Sequence, residues 1–233
     1  IVSFSLTVDN SGNVYVTGEL ATIKYDASGN QLWVQTDTSI LGPVALTVDN
    51  AGNVYVTGAP SSGERAYATV KYDASGNKLW VARHDAYIAF ALAVDNTGNV
   101  YVTGVGDRQS GFGYLTIKYN ASGGQLWEAV YKGSGDYDDT PTDLAVDHAG
   151  NVYVTGLRNH RDSLGNNNYV YGYIEATVKY DASGNQLWVA RYNAYPYVNG
   201  CCQGGIVSFS LTVDNSGNVY VTGSRGTGRT TQT

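Results

Sequence analysis

The chain has 233 residues, of which 42% are hydrophobic and 15% are charged, so it can bury a core and does not have the composition of a disordered protein. Its formal net charge of -6 argues against nucleic-acid binding, which needs clustered Lys and Arg. It has no run of 18 apolar residues, so we expect no membrane insertion.

The chain starts at Ile1 and contains no Met. We therefore expect a processed product or a segment of something longer. Removal of a secretory signal peptide would account for the missing Met, and so would trimming of the chain.

Two motifs alternate along the chain. The first, VDxxGNVYVTG, starts at Val8, Val48, Val94, Val146 and Val213. The second, KYDASGNQLW with small variations, ends at Trp33, Trp80, Trp127 and Trp188. The pair recurs roughly every fifty residues, which is the period of a propeller blade.

Each motif predicts a β-hairpin, because β-branched and aromatic residues flank a turn that contains Asp and Gly. Two hairpins make a four-stranded antiparallel sheet, whose strands we name A to D. Apolar residues occur on both faces of these strands, as expected for stacked blades. The sequence therefore predicts an all-β fold, a β-propeller with four full blade repeats and the first hairpin of a fifth.

The alternation of VDNxGNVYVTG with KYDASGNQLW resembles the SBBP family of bacterial β-propeller repeats. Residues 131–139 (YKGSGDYDD) resemble the GGSGDD-type linker of that family. The resemblance implies a secreted or cell-surface protein of bacterial type, in a family that usually has no assigned activity.

Strand connections in a meander alternate between two ends of the blade. The invariant A–B and C–D turns share one end, which we call the constant face. The B–C loops and the D–A connections share the other, the variable face.

The fourth B–C loop, from Leu157 to about Ala176, is the longest, and the connection after Trp188 is also long. Loops on a rigid scaffold often carry binding sites, and Tyr-rich loops give flat contact area. We predict a site for a glycan or protein ligand formed by Arg158, His160, Arg161, Asp162, Tyr169, Tyr171, Tyr173, Tyr195 and Tyr197.

Other chemistry is sparse in the sequence. Asp136, Asp138 and Asp139 form an acidic cluster that is a weak candidate for calcium, but a solvated linker between blades is the favoured interpretation. No cofactor is otherwise predicted. Cys201 and Cys202 are adjacent, and a vicinal disulfide, two free thiols and an intermolecular link all remain open.

Residues 206–223 repeat residues 1–18 without a change. We divide the chain into four blade repeats (1–205) and a terminal part (206–233) that holds the extra hairpin and a polar tail. Three interpretations follow: a segment of a longer repeat array, self-association through the duplicated hairpin, or an incomplete fifth blade in the ring.

The predicted function is a non-enzymatic secreted or cell-surface scaffold for binding, adhesion or assembly. The alternative is a propeller enzyme, a lyase or hydrolase, with a site at the ring channel. That alternative needs polar groups near the A strands, which instead repeat Leu-Thr-Val-Asp or Leu-Ala-Val-Asp.

Overall fold

A computed structural model of the chain describes residues 3–19, 21–36, 39–60, 65–106, 112–133, 139–165, 168–192 and 206–225. Blade one consists of β1 (Ser3–Val8), β2 (Val14–Gly18), β3 (Thr22–Tyr25) and β4 (Gln31–Gln35). Blade two consists of β5 (Ile40–Val48), β6 (Val54–Pro60), β7 (Ala66–Tyr72) and β8 (Lys78–Asp85).

The later blades follow the same order. Blade three consists of β9 (Ile88–Val94), β10 (Val100–Val105), β11 (Tyr114–Tyr119) and β12 (Gln125–Tyr131). Blade four consists of β13 (Thr140–Val146), β14 (Val152–Gly165), β15 (Asn168–Tyr180) and β16 (Gln186–Tyr192). The fifth sheet consists of β17 (Ile206–Val213) and β18 (Val219–Arg225).

Each of the four blades is an antiparallel meander in the order A-B-C-D, and the fifth sheet holds strands A and B. The predicted all-β propeller architecture is confirmed. None of the described segments is a helix that could cross a membrane.

The turns owe their shape to the motif residues. In the first A–B turn, Asp9 Oδ1 accepts hydrogen bonds from the backbone N–H groups of Ser11 and Asn13, both at 2.9 Å. Gly12 follows with a φ of 80°, a left-handed conformation that L side chains rarely adopt. Nine turns contain such a glycine, so the same local chemistry shapes both hairpins of every blade.

Consecutive blades pack through two defined faces. The trailing face of a blade contacts the next blade and carries the Tyr of strand B and the Trp of strand D. The leading face contacts the preceding blade and carries the Leu of strand A and the Val residues of strand B. Between blades one and two, Tyr15 and Trp33 pack against Leu46, Val54 and Val56, and the same arrangement recurs in the later blades.

A polar inter-blade latch accompanies this packing. We use the term for the Lys of strand C and the Trp of strand D, which both donate to the carbonyl oxygen of the Ala in the C–D turn of the next blade. Lys71 Nζ lies 3.3 Å and Trp80 Nε1 lies 3.0 Å from the Ala121 oxygen. Equivalent bonds join blade one to Ala74 and blade three to Ala182.

Gly123 completes this contact in two ways. Its φ is 86°, and a Cβ atom there would lie 2.9 Å from Cδ2 of Trp80. The C–D turn therefore needs glycine both for its backbone conformation and for the space that the neighbouring indole fills.

The fifth sheet is fixed to blade four by Asp143. Its Oδ2 accepts hydrogen bonds from the Leu211 backbone N–H at 2.8 Å and from the Ser210 hydroxyl at 3.1 Å. A register shift between Ser208 and Ser210 interrupts the β17–β18 ladder beside these donors. Asp143 directly precedes the Leu-Ala-Val-Asp repeat of strand A in blade four, and its carboxylate holds the next sheet.

Candidate recognition surface

The predicted long loop of blade four is an extended hairpin. Strands β14 and β15 contain 14 and 13 residues, whereas strands B and C of the other blades contain 4 to 7. The ladder continues beyond the blade from the pair Arg158 and Ile174 to the pair Gly165 and Asn168. The prediction of a loop from Leu157 to about Ala176 is therefore wrong, because the two strands keep pairing.

Seven of the predicted site residues lie in this extended hairpin. Arg161 pairs with Tyr171, Asn159 with Tyr173 and Ser163 with Tyr169. Since alternate residues of a strand belong to the same face, the register places Arg161 with the three tyrosines on one face. Arg158, His160 and Asp162 belong to the opposite face. Tyr195 and Tyr197 lie outside the described residues, as do Cys201 and Cys202.

The base of the hairpin contains groups that the sequence analysis missed. Glu175 is opposite Leu157 on one side and Tyr192 on the other. It is half-buried, and burial raises the pKa of its carboxyl group. A comparison of the repeats could have identified this residue, because Glu175 stands where blades two and three have Tyr67 and Tyr114.

Strand β16 contributes further exposed groups beside this carboxyl. Tyr192 is exposed, and Arg191 Nη2 donates to the Tyr131 hydroxyl of blade three at 3.4 Å. Tyr192 ends strand β16, so it belongs to blade four and not to the connection that follows it.

A second aromatic cluster lies at the variable face between blades two and three. The rings of Tyr87 and Phe112 meet edge to face with their centroids 6.0 Å apart, and the Arg65 guanidinium lies 5.1 Å from the Tyr87 ring centroid. Tyr87 is an exposed large side chain. An exposed aromatic ring supported by a guanidinium offers an amphipathic contact surface.

Clefts on the constant face have a structural origin. One of 290 Å³ lies between the A–B turns of blades one and two, and one of 400 Å³ lies between those of blades two and three. Their polar lining is already bonded within the fold. Asp49 accepts from Tyr55 at 2.9 Å and from Asn53, and Lys24 in the first cleft donates to Ala74.

The acidic candidates do not converge on a metal site in the described part of the chain. Asp136 and Asp138 lie outside it. Asp139 is buried, and its Oδ2 accepts a hydrogen bond from the Gly133 backbone N–H at 2.6 Å, which ties the end of the linker to its start. Among the described residues, no three His, Cys, Asp or Glu side chains are grouped as a metal site.

The linker and the start of blade four correspond to a known repeat. The family of β-propeller repeats called SBBP matches residues 131–160. The match includes the YKGSGDYDD linker, strand A and the first VDHAGNVYVTG hairpin of blade four, so the resemblance seen in the motifs is confirmed there. No curated protein matches the chain by sequence.

Solved structures share the fold of this chain at low identity. Hydrazine synthase of Kuenenia stuttgartiensis is 15% identical, with a TM-score of 0.68 over 95% of this chain. Virginiamycin B lyase of Staphylococcus aureus is 12% identical, with a TM-score of 0.55 over 94% of this chain. A gluconolactonase of Xanthomonas campestris is 15% identical, with a TM-score of 0.53 over 94% of this chain. The chain spans 61%, 69% and 68% of those proteins, respectively.

Proposed function

We propose that this protein is a non-enzymatic binding scaffold, secreted or exposed at a bacterial cell surface, which recognises a glycan or protein through the variable face. The observation that carries the proposal is the extended β14–β15 hairpin. It projects from a scaffold whose other turns repeat one sequence, and it concentrates Tyr and Arg residues. Tyr-rich surfaces provide amphipathic contact area at a low entropic cost.

The state of the polar groups supports binding over catalysis. The turn aspartates accept hydrogen bonds from backbone, Asn and Tyr donors. The Lys residues of blades one to three donate the hydrogen bonds of the latch. Asp143, the carboxylate on strand A of blade four, has both oxygens engaged by backbone N–H groups. The alternative enzyme at the channel would need such a group to be free for a substrate.

Shortening the hairpin at its base tests the proposal. Replacing residues 159–173 by Asn-Gly closes the ladder after the pair Arg158 and Ile174 with a two-residue turn. We expect the shortened protein to lose binding to the glycans or cell surfaces that the intact chain recognises on arrays and in cell assays. Its thermal unfolding midpoint should stay close to that of the intact chain. Binding that survives would place the site elsewhere.

Face-specific variants sharpen the test. One variant replaces Tyr169, Tyr171 and Tyr173 by Ser, and a matched variant replaces Arg158, His160 and Asp162 by Ser. If the Tyr-containing face binds the ligand, only the first triple variant should lose affinity. Equal losses would contradict a single binding face.

A further inference from the structure

The two ends of the described arc expose the two halves of an interface that the chain forms repeatedly. On the leading face, Leu46 is 7% exposed, whereas its equivalent in blade one, Leu6, is 62% exposed. On the trailing face, Tyr15 is fully buried, whereas its equivalent in the fifth sheet, Tyr220, is 56% exposed. The exposed leading face of blade one and the exposed trailing face of the fifth sheet therefore carry the same residue types that pack together between consecutive blades.

The latch of blade four is also incomplete. Lys179 Nζ lies 4.8 Å from the centroid of the Tyr153 ring, and the Trp188 ring lies 6.0 Å from it, as in the other blades. The donors are thus assembled, but the described fifth sheet has no C–D turn whose Ala carbonyl could accept from them. Trp188 is 37% exposed as a result.

The fifth sheet has an open edge beside this latch. Among the described residues, strand β18 pairs with β17 on one side and with no strand on its other edge, where the four blades have strand C. An unpaired strand edge is a template for another chain.

The missing C–D hairpin is one that this chain contains. Residues 206–223 are identical to residues 1–18, so β18 can pair with β3 in the register that β2 uses. Val219 would take the place of Val14 opposite Tyr25, and Thr222 the place of Thr17 opposite Thr22. Among the described residues, no Lys and Trp pair donates to the Ala27 carbonyl in the C–D turn of blade one.

We propose that the C-terminal hairpin of one copy completes the first blade of a second copy. Strands β17 and β18 replace the identical β1–β2 hairpin beside β3 and β4 of the partner molecule, and Lys179 and Trp188 donate to its Ala27 carbonyl. A reciprocal exchange closes a symmetric dimer. This inference rests on the duplicated hairpin and is independent of the recognition function proposed above.

The energetics favour exchange over simple stacking of the two ends. The exchange breaks the pairing of β2 with β3 and forms the pairing of β18 with β3. Because the two hairpins have the same sequence, the free energies of the two pairings nearly cancel. The burial of Tyr15 and the pairing of β2 that the displaced hairpin loses are likewise matched by those of Tyr220 and β18, and the additional gain is the satisfied latch of blade four. Stacking of intact first blades would leave the latch open.

The first experiment is analytical ultracentrifugation of the full chain from roughly 1 µM to roughly 100 µM, the range of moderate protein affinities. We expect a concentration-dependent dimer. Tyr220→Asp should weaken association by at least about tenfold, since a buried aromatic contact is lost and a carboxylate would be buried. The matched control is Leu126→Asp, because Leu126 is 53% exposed on β12, away from both ends. It should associate like the parent.

A disulfide trap distinguishes the exchange. The hydroxyls of Thr17 and Thr22 are 2.9 Å apart, so Cys residues at positions 22 and 222 would meet only in the exchanged blade. The variant Thr22→Cys, Thr222→Cys, with Cys201→Ser and Cys202→Ser, should give covalent dimers on oxidation. The control pairs Thr222→Cys with Thr116→Cys in blade three and should not crosslink.

Several results would overturn the proposal. These are a monomer at every concentration, a dimer that Tyr220→Asp leaves intact, and a dimer that does not crosslink through the trap. A crosslink within a single chain would also overturn it, because the C-terminal hairpin would then complete the first blade of its own chain and not that of a second copy.

Discussion

The hydroxyl of the buried strand-B tyrosine gives the sharpest test of how blades stabilise each other. The change is Tyr101→Phe, which deletes one oxygen and keeps the ring. Tyr101 is fully buried under blade four, and its hydroxyl donates to Asp95 Oδ2 at 3.0 Å. Lys118 Nζ lies 5.0 Å from the ring centroid and can remain over a phenyl ring.

The expected loss follows from that single bond. A hydrogen bond to a charged group contributes about 1.5 to 3 kcal/mol net, and Asp95 is partly exposed, so water replaces some of what is lost. We expect Tyr101→Phe to lower the free energy of unfolding by about 1 to 2 kcal/mol. Burial opposes ionisation of Asp95, but bonds from Asn99, Thr97 and Tyr101 outweigh it and hold its pKa below the ordinary value.

The matched control is Tyr220→Phe. Tyr220 makes the same bond to Asp214 at 3.1 Å in a turn that differs only by Ser216 in place of Thr97, but no described blade covers it. Urea unfolding of both variants at a protein concentration where the chain is monomeric, followed by tryptophan fluorescence, should show a clear loss for Tyr101→Phe and none for Tyr220→Phe. Equal losses would refute the argument, because the bond would then act without the cover of the next blade.

Three further predictions concern the latch, the bulged ladder and the turns. Trp127→Phe removes the indole donor to Ala182 and should destabilise the monomer by about 1 kcal/mol in urea unfolding, more than Trp188→Phe, whose indole has no such acceptor among the described residues of its own chain. Gly104→Ala would overlap the Ile88 carbonyl oxygen and should cost roughly 2 kcal/mol, whereas Gly42→Ala meets no atom within 4 Å and should be neutral. Hydrogen bonding keeps the pKa of the turn carboxylates Asp9 and Asp147 below the ordinary 3.8 despite the opposing effect of burial, so the stability present above that pH should be lost as pH falls through the lowered values. Thermal midpoints measured from about pH 6 to about pH 2 would check the prediction for Asp9 and Asp147. A midpoint that rises as the pH is lowered would contradict it.

The sequence determines the blades because each hairpin is specified locally and more than once. Asp49 and Gly52 shape one turn without any distant contact, and the same pattern recurs at Asp95 and Gly98. The Tyr and Leu positions recur with them. Prediction therefore succeeds where a short motif contains its own physical cause.

The site is harder to predict because its features depend on distant or inherited pairing. Residues 158–174 mix Arg, His, Asp, Asn and Gly as a loop does, yet the register already set by β14 and β15 inside the blade carries the ladder outward. Tyr87, Phe112 and Arg65 meet from three separate connections. Asp143 departs from the repeat at one position, and its role is visible only once the Leu211 N–H lies beside it.

The direction of the latch has a consequence for how the chain is made. In blades one to three, each donor pair bonds to a carbonyl that lies further along the sequence, as Lys24 and Trp33 bond to that of Ala74. Synthesis proceeds from the N-terminus, so a newly emerged blade can pack its leading face against the preceding blade at once. Its own latch donors on the trailing side lack their acceptor until the C–D turn of the next blade leaves the ribosome. The growing protein therefore exposes the trailing face of its last folded blade, whose contacts are not yet formed. Each new blade covers that face and exposes its own.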